Sequence, residues 1–332
     1  MKSNWLIVEL AKCNILRLGV LFCFAYAVLF SPLSHSAAKV PRAVDVGIYL
    51  NNIPSVTLKE KKFQVDFNIW FRWKGDDINP IETFKIFNGH IDSKDGLVKK
   101  KIGEFNYASQ RVEATIYRNF DVYRYPLDNQ PLKIQIEDTQ ATSAELIYSP
   151  DKVNANVSPK INVPGWSIDK FDSYASVTKY LSNYGDISLP KNAESDFPRY
   201  TFAVDLKRGS YGNFFKLFSM LFLAVGVSLC AFRIQSDYLD ARFQLVVAGV
   251  FLAAITQSTL STSLPESDSF GMADQLYQAT MAFIVVIFLA SIQTFRIYVG
   301  GDVSRANALS RRYGILFTVA YVAANMIIVG IA

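Results

Sequence analysis

Phe63-Gln-Val-Asp-Phe-Asn-Ile-Trp-Phe-Arg-Trp73 alternates without a break. Phe63, Val65, Phe67, Ile69, Phe71 and Trp73 fall on one face, and Gln64, Asp66, Asn68, Trp70 and Arg72 on the other. An extended backbone sends successive side chains to opposite faces, so eleven residues of period two predict a half-buried β-strand. Arg199–Lys207 repeats the pattern, with Tyr200, Phe202, Val204 and Leu206 on the apolar side. Shorter runs occur at Val46–Leu50, Val112–Tyr117, Leu132–Ile136 and Leu146–Tyr148, separated by turn signals such as Asp95-Gly96 and Asn79-Pro80. No helix-period segment of useful length appears between 41 and 207. Many short strands at this spacing predict an antiparallel β-sandwich.

The rest of the chain is of a different kind. Of 332 residues, 51% are hydrophobic and 19% charged, with a mean hydropathy of +0.17; ordinary globular domains carry about 25% charged residues. The apolar excess lies in the first 40 residues and from Tyr211 onward. That distribution excludes a wholly soluble chain and a disordered one. Four apolar segments, at approximately 211–234, 243–264, 275–294 and 312–332, are each close to the roughly 20 residues that cross a bilayer as a helix. The first carries only Lys216 near its outer end and Arg233 at its inner end, and both can snorkel. The expected fold is therefore a multidomain membrane protein: an exported antiparallel β-sandwich at 39–209, then a four-helix transmembrane bundle at 210–332.

Lys12 and Arg17 precede the apolar run Leu18–Leu33, which ends in Ser34-His35-Ser36-Ala37-Ala38. This reads as a cleaved signal peptide over 1–38, the alternative being an uncleaved anchor helix. The sequence between the third and fourth segments holds Arg296, Arg305 and Arg311 against Asp302, with Arg312 opening the fourth. Between the second and third lie Glu266, Asp268 and Asp274 with no basic residue. Basic loops stay in the cytoplasm, so the arginine loop is expected inside and the acidic loop outside, in agreement with an exported N-terminal domain.

The net charge of +5 is modest and the longest basic run is Lys99–Lys101, which gives no reason to expect a nucleic-acid partner. Cys13 and Cys23 belong to the leader, leaving Cys230, so a disulfide within the exported domain and a cysteine metal site are both excluded. His35 is also in the leader and His90 stands alone, which excludes two-histidine zinc ligation. No metal, cofactor or enzymatic chemistry is expected. The strand ending at Lys207 runs to Tyr211 with no Ser/Gly/Pro linker, whereas a tethered adhesion domain more often has one. A strand so joined should pull on the first span.

Phe120-Asp-Val-Tyr-Arg-Tyr-Pro-Leu-Asp-Asn-Gln130 resembles the signature loop of pentameric ligand-gated ion channels, the Cys-loop receptor superfamily, through Tyr125-Pro126-Leu127-Asp128-Asn129-Gln130. The flanking cysteines are missing, as they are in prokaryotic members. Val65-Asp66-Phe67 leading to Trp73 resembles the family's second strand, and Gly165-Trp166-Ser-Ile-Asp-Lys-Phe171 the strand before its capping loop. Lys207-Arg208 is similar to the basic pair before the first span, and Leu264-Pro265 to the end of the pore helix. Two features depart from the pattern. The first span lacks the family's proline between Tyr211 and Ile234, and the loop between spans three and four is only about 15 residues.

The resemblance implies a homopentamer in a bacterial inner membrane, its N-terminal domain in the periplasm and its pore lined by the second span. Asp240, Gln244, Ala248, Phe251, Ile255, Thr259 and Thr262 recur at helical spacing and form one stripe. Five copies around an axis would make an acidic ring, a hydrophobic gate at Phe251 and Ile255, and a hydroxyl-lined mouth. Seven of the nine residues in Thr256–Leu264 are polar, which is costly against lipid and better placed toward water. The alternatives are that these hydroxyls reach the headgroups and that Phe251 turns sideways into a helix interface. Asp240 matches a carboxylate ring that favours permeating cations. Ala241-Arg242-Phe243 also resembles the Ala-Arg-Val of anion-selective relatives, unless Arg242 pairs with Asp237 or Asp240.

For gating, the resemblance implies an ion pair between Asp128 and Arg208, with Tyr125 and Pro126 resting on the loop around Pro265. It puts a small-molecule or ion agonist, unspecified by the motifs, between subunits under a capping loop at Gly185–Pro198. Trp70, Tyr184 and Phe197 are the binding candidates, suited to an ammonium through cation–π attraction. Glu194 and Asp196 in the same loop leave a divalent-cation site open as an alternative. The competing reading of the whole chain is a non-conducting membrane sensor that signals through a partner, which the short cytoplasmic loops disfavour.

Overall fold

The computed structural model describes residues 40–185, 187, 194–209, 211–265 and 270–331. The leader, much of the capping loop, and Glu266 and Asp268 of the acidic loop lie outside the described residues. In chain order the strands are β1 (Arg42–Thr57), β2 (Lys62–Lys74), β3 (Phe84–Ile86), β4 (Gly89–Ile102), β5 (Phe105–Tyr117), β6 (Asn129–Asp138), β7 (Leu146–Pro150), β8 (Asn156–Val157), β9 (Trp166–Tyr180) and β10 (Ser195–Arg208). The helices are α1 (Tyr211–Leu229), extended by a 3-10 turn at Cys230–Arg233, then α2 (Leu239–Ser263), α3 (Met272–Val299) and α4 (Val303–Ile331). Among the described residues these four helices are long and apolar enough to cross a membrane.

The described strands form two sheets, one in the order β4-β5-β2-β1-β7 with β8 also on β1, the other in the order β3-β6-β10-β9. The period-two face of β2 is buried along its whole length, with Trp73 the most exposed at 6%. It meets the inward faces of β6 and β10, where Leu132, Ile134, Ile136, Tyr200, Phe202, Val204 and Leu206 complete one apolar cluster. Burying each such side chain is worth about 1.5–3 kcal/mol, so the alternation in β2 and β10 fixes which way both sheets face.

Two sequence expectations do not hold. The pairing is not wholly antiparallel: β1 runs parallel to β7, from Arg42↔Leu146 to Val46↔Pro150, and to β8. Its neighbours β7 and β8 arrive by a long connection through the other sheet rather than by a hairpin, and such crossovers permit parallel pairing. Asp95-Gly96 is no turn but a bulge inside β4, where the register shifts between Asp95 and Val98 and Gly96 adopts φ +62°. The hairpin instead reverses after Ile102, at Gly103 (φ +61°) and Glu104. Asn79-Pro80 does separate β2 from β3, and it opens a single helical turn at Pro80–Thr83, with proline at the position whose N–H has no helical partner.

β4 and β9 carry no clear alternation because each is the edge of its sheet, and nearly all of their side chains are exposed or half-buried. The lysines of β4 are the kind of charge that keeps an open edge from pairing indiscriminately.

The helices are longer than their apolar segments. α3 begins at Met272 and holds Arg296, and α4 begins at Val303, so the loop between them is Gly300–Asp302 rather than about 15 residues. Polar first and last turns escape a hydropathy window but remain helical. At the α1–α2 crossing, a β-carbon on Gly249 would lie 2.1 Å from Ser228 Oγ and 2.8 Å from the Ala224 carbonyl oxygen. Only glycine lets the two backbones approach this closely. Gly249→Ala is expected to cost about 1–3 kcal/mol, the usual range for overpacking. Adding Ser228→Ala should recover part of the loss, because the backbone contact to Ala224 persists. Thermal unfolding of the two variants in detergent checks both statements, and full recovery by Ser228→Ala would contradict the backbone contact.

Candidate functional site

β10 ends at Arg208, and α1 starts at Tyr211. The loop Phe120–Gln130 leads into β6, whose first residue Asn129 pairs with Lys207, so antiparallel register alone brings Asp128 beside Arg208. Arg208 Nε donates to Asp128 Oδ1 at 2.7 Å and Nη2 to Oδ2 at 3.4 Å, while its backbone N–H donates to the Asp128 carbonyl at 3.2 Å. Gln130 Nε2 donates to Asp128 Oδ2 at 2.8 Å. The side chains are 12% and 3% exposed, so the pair lies far from the screened surface regime in which ion pairs contribute little. The Arg208 guanidinium lies over the Trp166 ring at 4.0 Å and the Tyr125 ring at 4.8 Å. Trp166 holds that place because it is the cross-strand partner of Arg208.

The same loop reaches the helices. The Tyr123 carbonyl accepts the backbone N–H of Met272, the first residue of α3, at 2.7 Å. A β-carbon on Gly271 would sit 3.1 Å from that carbonyl. Tyr125 and Leu264 pack against both the β-cluster and the helix cluster. Pro126 is buried and Pro265, next to Leu264, is half-buried. On the β1–β2 connection, Lys59 Nζ donates to the Ser261 carbonyl near the end of α2 at 3.2 Å. Sequence reasoning missed Lys59, Tyr123, Gly271 and Met272, since each of these contacts ends on a backbone atom, which leaves no mark on residue type.

On α2 the residues Arg242, Val246, Gly249, Ala253, Thr256 and Leu260 are buried against the other helices. Asp240, Gln244, Phe251, Ile255, Thr259 and Thr262 are exposed on the far side, and Ala248 is half-buried. Phe251 is 67% exposed and Ile255 54%, so within one chain neither turns into its own bundle.

Arg242 pairs with neither Asp237 nor Asp240. It is fully buried, donating Nη1 to Thr294 Oγ1 at 2.8 Å and Nη2 to the Ile234 carbonyl, Ser236 Oγ and Ser310 Oγ. A buried cation held by hydroxyls and a carbonyl ties the starts of α2 and α4 and the end of α3 to the chain after α1.

The hydroxyls of upper α2 also differ from expectation. Thr256, Thr259, Ser261, Thr262 and Ser263 donate back to carbonyls three or four residues earlier in the same helix. A hydroxyl bonded in this way no longer needs a partner outside its own helix, so their number does not by itself demand water.

Among the ligand candidates, Tyr184 and Phe197 come together with Tyr180, with ring centroids 5.7–6.1 Å apart. Tyr180, absent from the sequence expectation, donates its hydroxyl to the buried Glu137 carboxylate at 2.9 Å. Burial, followed by the Glu137 carboxylate, pushes its phenol above the usual value. Glu137 also accepts from Arg199 at 2.6 Å and lies 3.4 Å from Lys85. Trp70 is not with them. It stands on the other sheet, donates to Asp151 Oδ2 at 3.2 Å and covers Gly47, whose β-carbon would sit 2.2 Å from the indole. Glu194 pairs with Lys179 at 3.4 Å, and among the described residues no group of three or more His, Cys, Asp or Glu side chains is placed to hold a metal.

No protein-family model matches the chain, and no curated protein sequence matches it.

Proposed function

We propose that the chain is the subunit of a homopentameric ligand-gated ion channel of the prokaryotic kind. In this reading the two sheets are a periplasmic sandwich and the four helices are inserted in the bacterial inner membrane. Agonist binds between neighbouring sandwiches, near Tyr180, Tyr184 and Phe197 of one subunit and the Trp70 face of the next. Binding there displaces β9 and β10, and β10 transmits the motion into α1 with no linker to absorb it. Five α2 helices line the pore, with Asp240 at the inner mouth and Phe251 and Ile255 as the gate.

The observation that carries the reading is the joint. One loop holds Arg208 at the foot of β10 through the Asp128 fork and touches the start of α3 through Tyr123. In this reading a change in the sheets reaches two helices through this one loop. Selectivity for cations is supported by contrast: Asp240 is exposed, whereas Arg242 is buried with both terminal nitrogens bonded to hydroxyl and carbonyl oxygens of its own chain.

A pore of this kind needs five subunits, because one subunit offers a single α2. The detergent-solubilised particle is therefore expected to have five times the mass of the chain, 37.3 kDa each with its leader or correspondingly less without it. Light scattering coupled to gel filtration measures this, and a monomer or dimer that persists on reconstitution into lipid would refute the assembly.

A further inference from the structure

A cavity of about 250 Å³ opens beside β6, beyond the short stretch that β3 covers, among the residues that follow β3 and β5 and against Phe63 and Ile116 of the first sheet. Asn119 and Pro131, which line it, flank the joint loop Phe120–Gln130, while no residue of α2 lines it. Strand alternation creates it: Leu132, Ile134 and Ile136 face the core, so Lys133 and Gln135 face outward into the cavity. Phe87, Tyr117 and Pro131 contribute apolar walls, Arg118 and Lys133 both line it, and among the described residues no acidic side chain does.

Arg118 is the unusual member. Arg42, Arg72, Arg111, Arg199 and Arg208 each hold a carboxylate. Arg124 has none but is exposed to water. Arg118 is half-buried, and among the described residues its guanidinium has only the Asn119 carbonyl at 3.4 Å and the face of Phe120 at 5.2 Å. Burial lowers its basicity, and no neighbouring anion restores it. A desolvated guanidinium normally acquires a carboxylate or other anion, since an uncompensated charge away from water is costly. Lys133 likewise has no ion-pair partner among the described residues.

We propose that this cavity is a binding site for a small monocarboxylate with a compact apolar body. The carboxylate lies between Arg118 and Lys133 with the Gln135 amide as a further donor, and the body rests on Phe87, Tyr117 and Pro131. A volume of 250 Å³ equals that of roughly eight waters in the liquid, enough for an anion of benzoate size. The two cations can each engage one oxygen of a single carboxylate, and the apolar walls would be wasted on a bare inorganic ion. The site belongs to the β-structure alone and does not depend on the channel reading.

Calorimetric titration of the full-length protein in detergent with benzoate, benzyl alcohol and inorganic phosphate tests it. Benzoate is expected to saturate, with benzyl alcohol and phosphate each about tenfold or more weaker. Lys133→Gln and Arg118→Gln should each weaken benzoate about tenfold to a hundredfold, the range for a charge-assisted hydrogen bond. Equal binding of benzoate and benzyl alcohol, or benzoate binding unchanged in both variants, overturns the proposal. Phosphate binding as tightly as benzoate overturns the carboxylate class. If Arg118→Gln does not fold, Lys133→Glu on the exposed strand decides: it must abolish benzoate binding, and retention refutes the site. Should the wild type bind no benzoate while Arg118→Gln breaks the oligomer, the partner of Arg118 is a neighbouring copy's acid and the proposal fails.

Discussion

Arg208→Gln is expected to destabilise the protein by about 3–5 kcal/mol, the cost of removing one partner from a buried ion pair. Asp128 would remain only 3% exposed, with Gln130 as its side-chain donor and the guanidinium fork gone. Trp166 and Tyr125 would also lose the cation between their rings. Arg208→Lys keeps the charge but not the planar fork, and should fall between wild type and Arg208→Gln. Asp128→Asn in the Arg208→Gln background should cost less than the sum of the two single changes, because the stranded carboxylate is then neutral. Thermal unfolding of the four proteins closes the double-mutant cycle. Additive losses would mean that the fork contributes nothing beyond its parts. The same variants should lose agonist response before they lose assembly, since the pair stands between the sheets and α1.

Phe251→Ala is expected to open the resting pore. In the proposed pentamer five phenyl rings narrow the passage at mid-helix, and hydrophobic constrictions of this sort hold channels shut by excluding water. Each 1.4 kcal/mol removed from a barrier multiplies the rate of crossing about tenfold. Five rings lost together should therefore raise resting conductance at least about tenfold. Phe251→Leu, which keeps an apolar constriction, should raise it far less. Single-channel recording separates these cases, and a resting conductance identical in wild type and Phe251→Ala would exclude Phe251 from the gate.

The sequence is legible where one physical demand acts on a run of residues. β2 and β10 face a core on one side, and their alternation says so directly. The four helices stand out because an apolar stretch of that length has few other uses, although their polar ends extend farther than hydropathy reveals. Edge strands β4 and β9 are different: within one chain neither face is fully buried, so nothing selects an alternating pattern. Charge is read poorly in the other direction. Arg242 looks like a surface or pore cation by type, yet it lies buried among hydroxyls contributed by segments 50 or more residues away as well as near ones. Trp70 falls on the outward face as its period requires, but outward is not free: the ring covers Gly47 on the neighbouring strand. Asp128 and Arg208 are 80 residues apart, and only the resemblance pairs them before the register of β6 and β10 does.

The most direct test of the channel reading needs no agonist. Phe251→Ala protein in a planar bilayer, under a tenfold KCl gradient, is expected to carry a discrete current that reverses within a few millivolts of the potassium potential, about 59 mV from zero. Reversal at the chloride potential would contradict the role given to Asp240. A bilayer that stays silent with protein demonstrably inserted would contradict the channel itself.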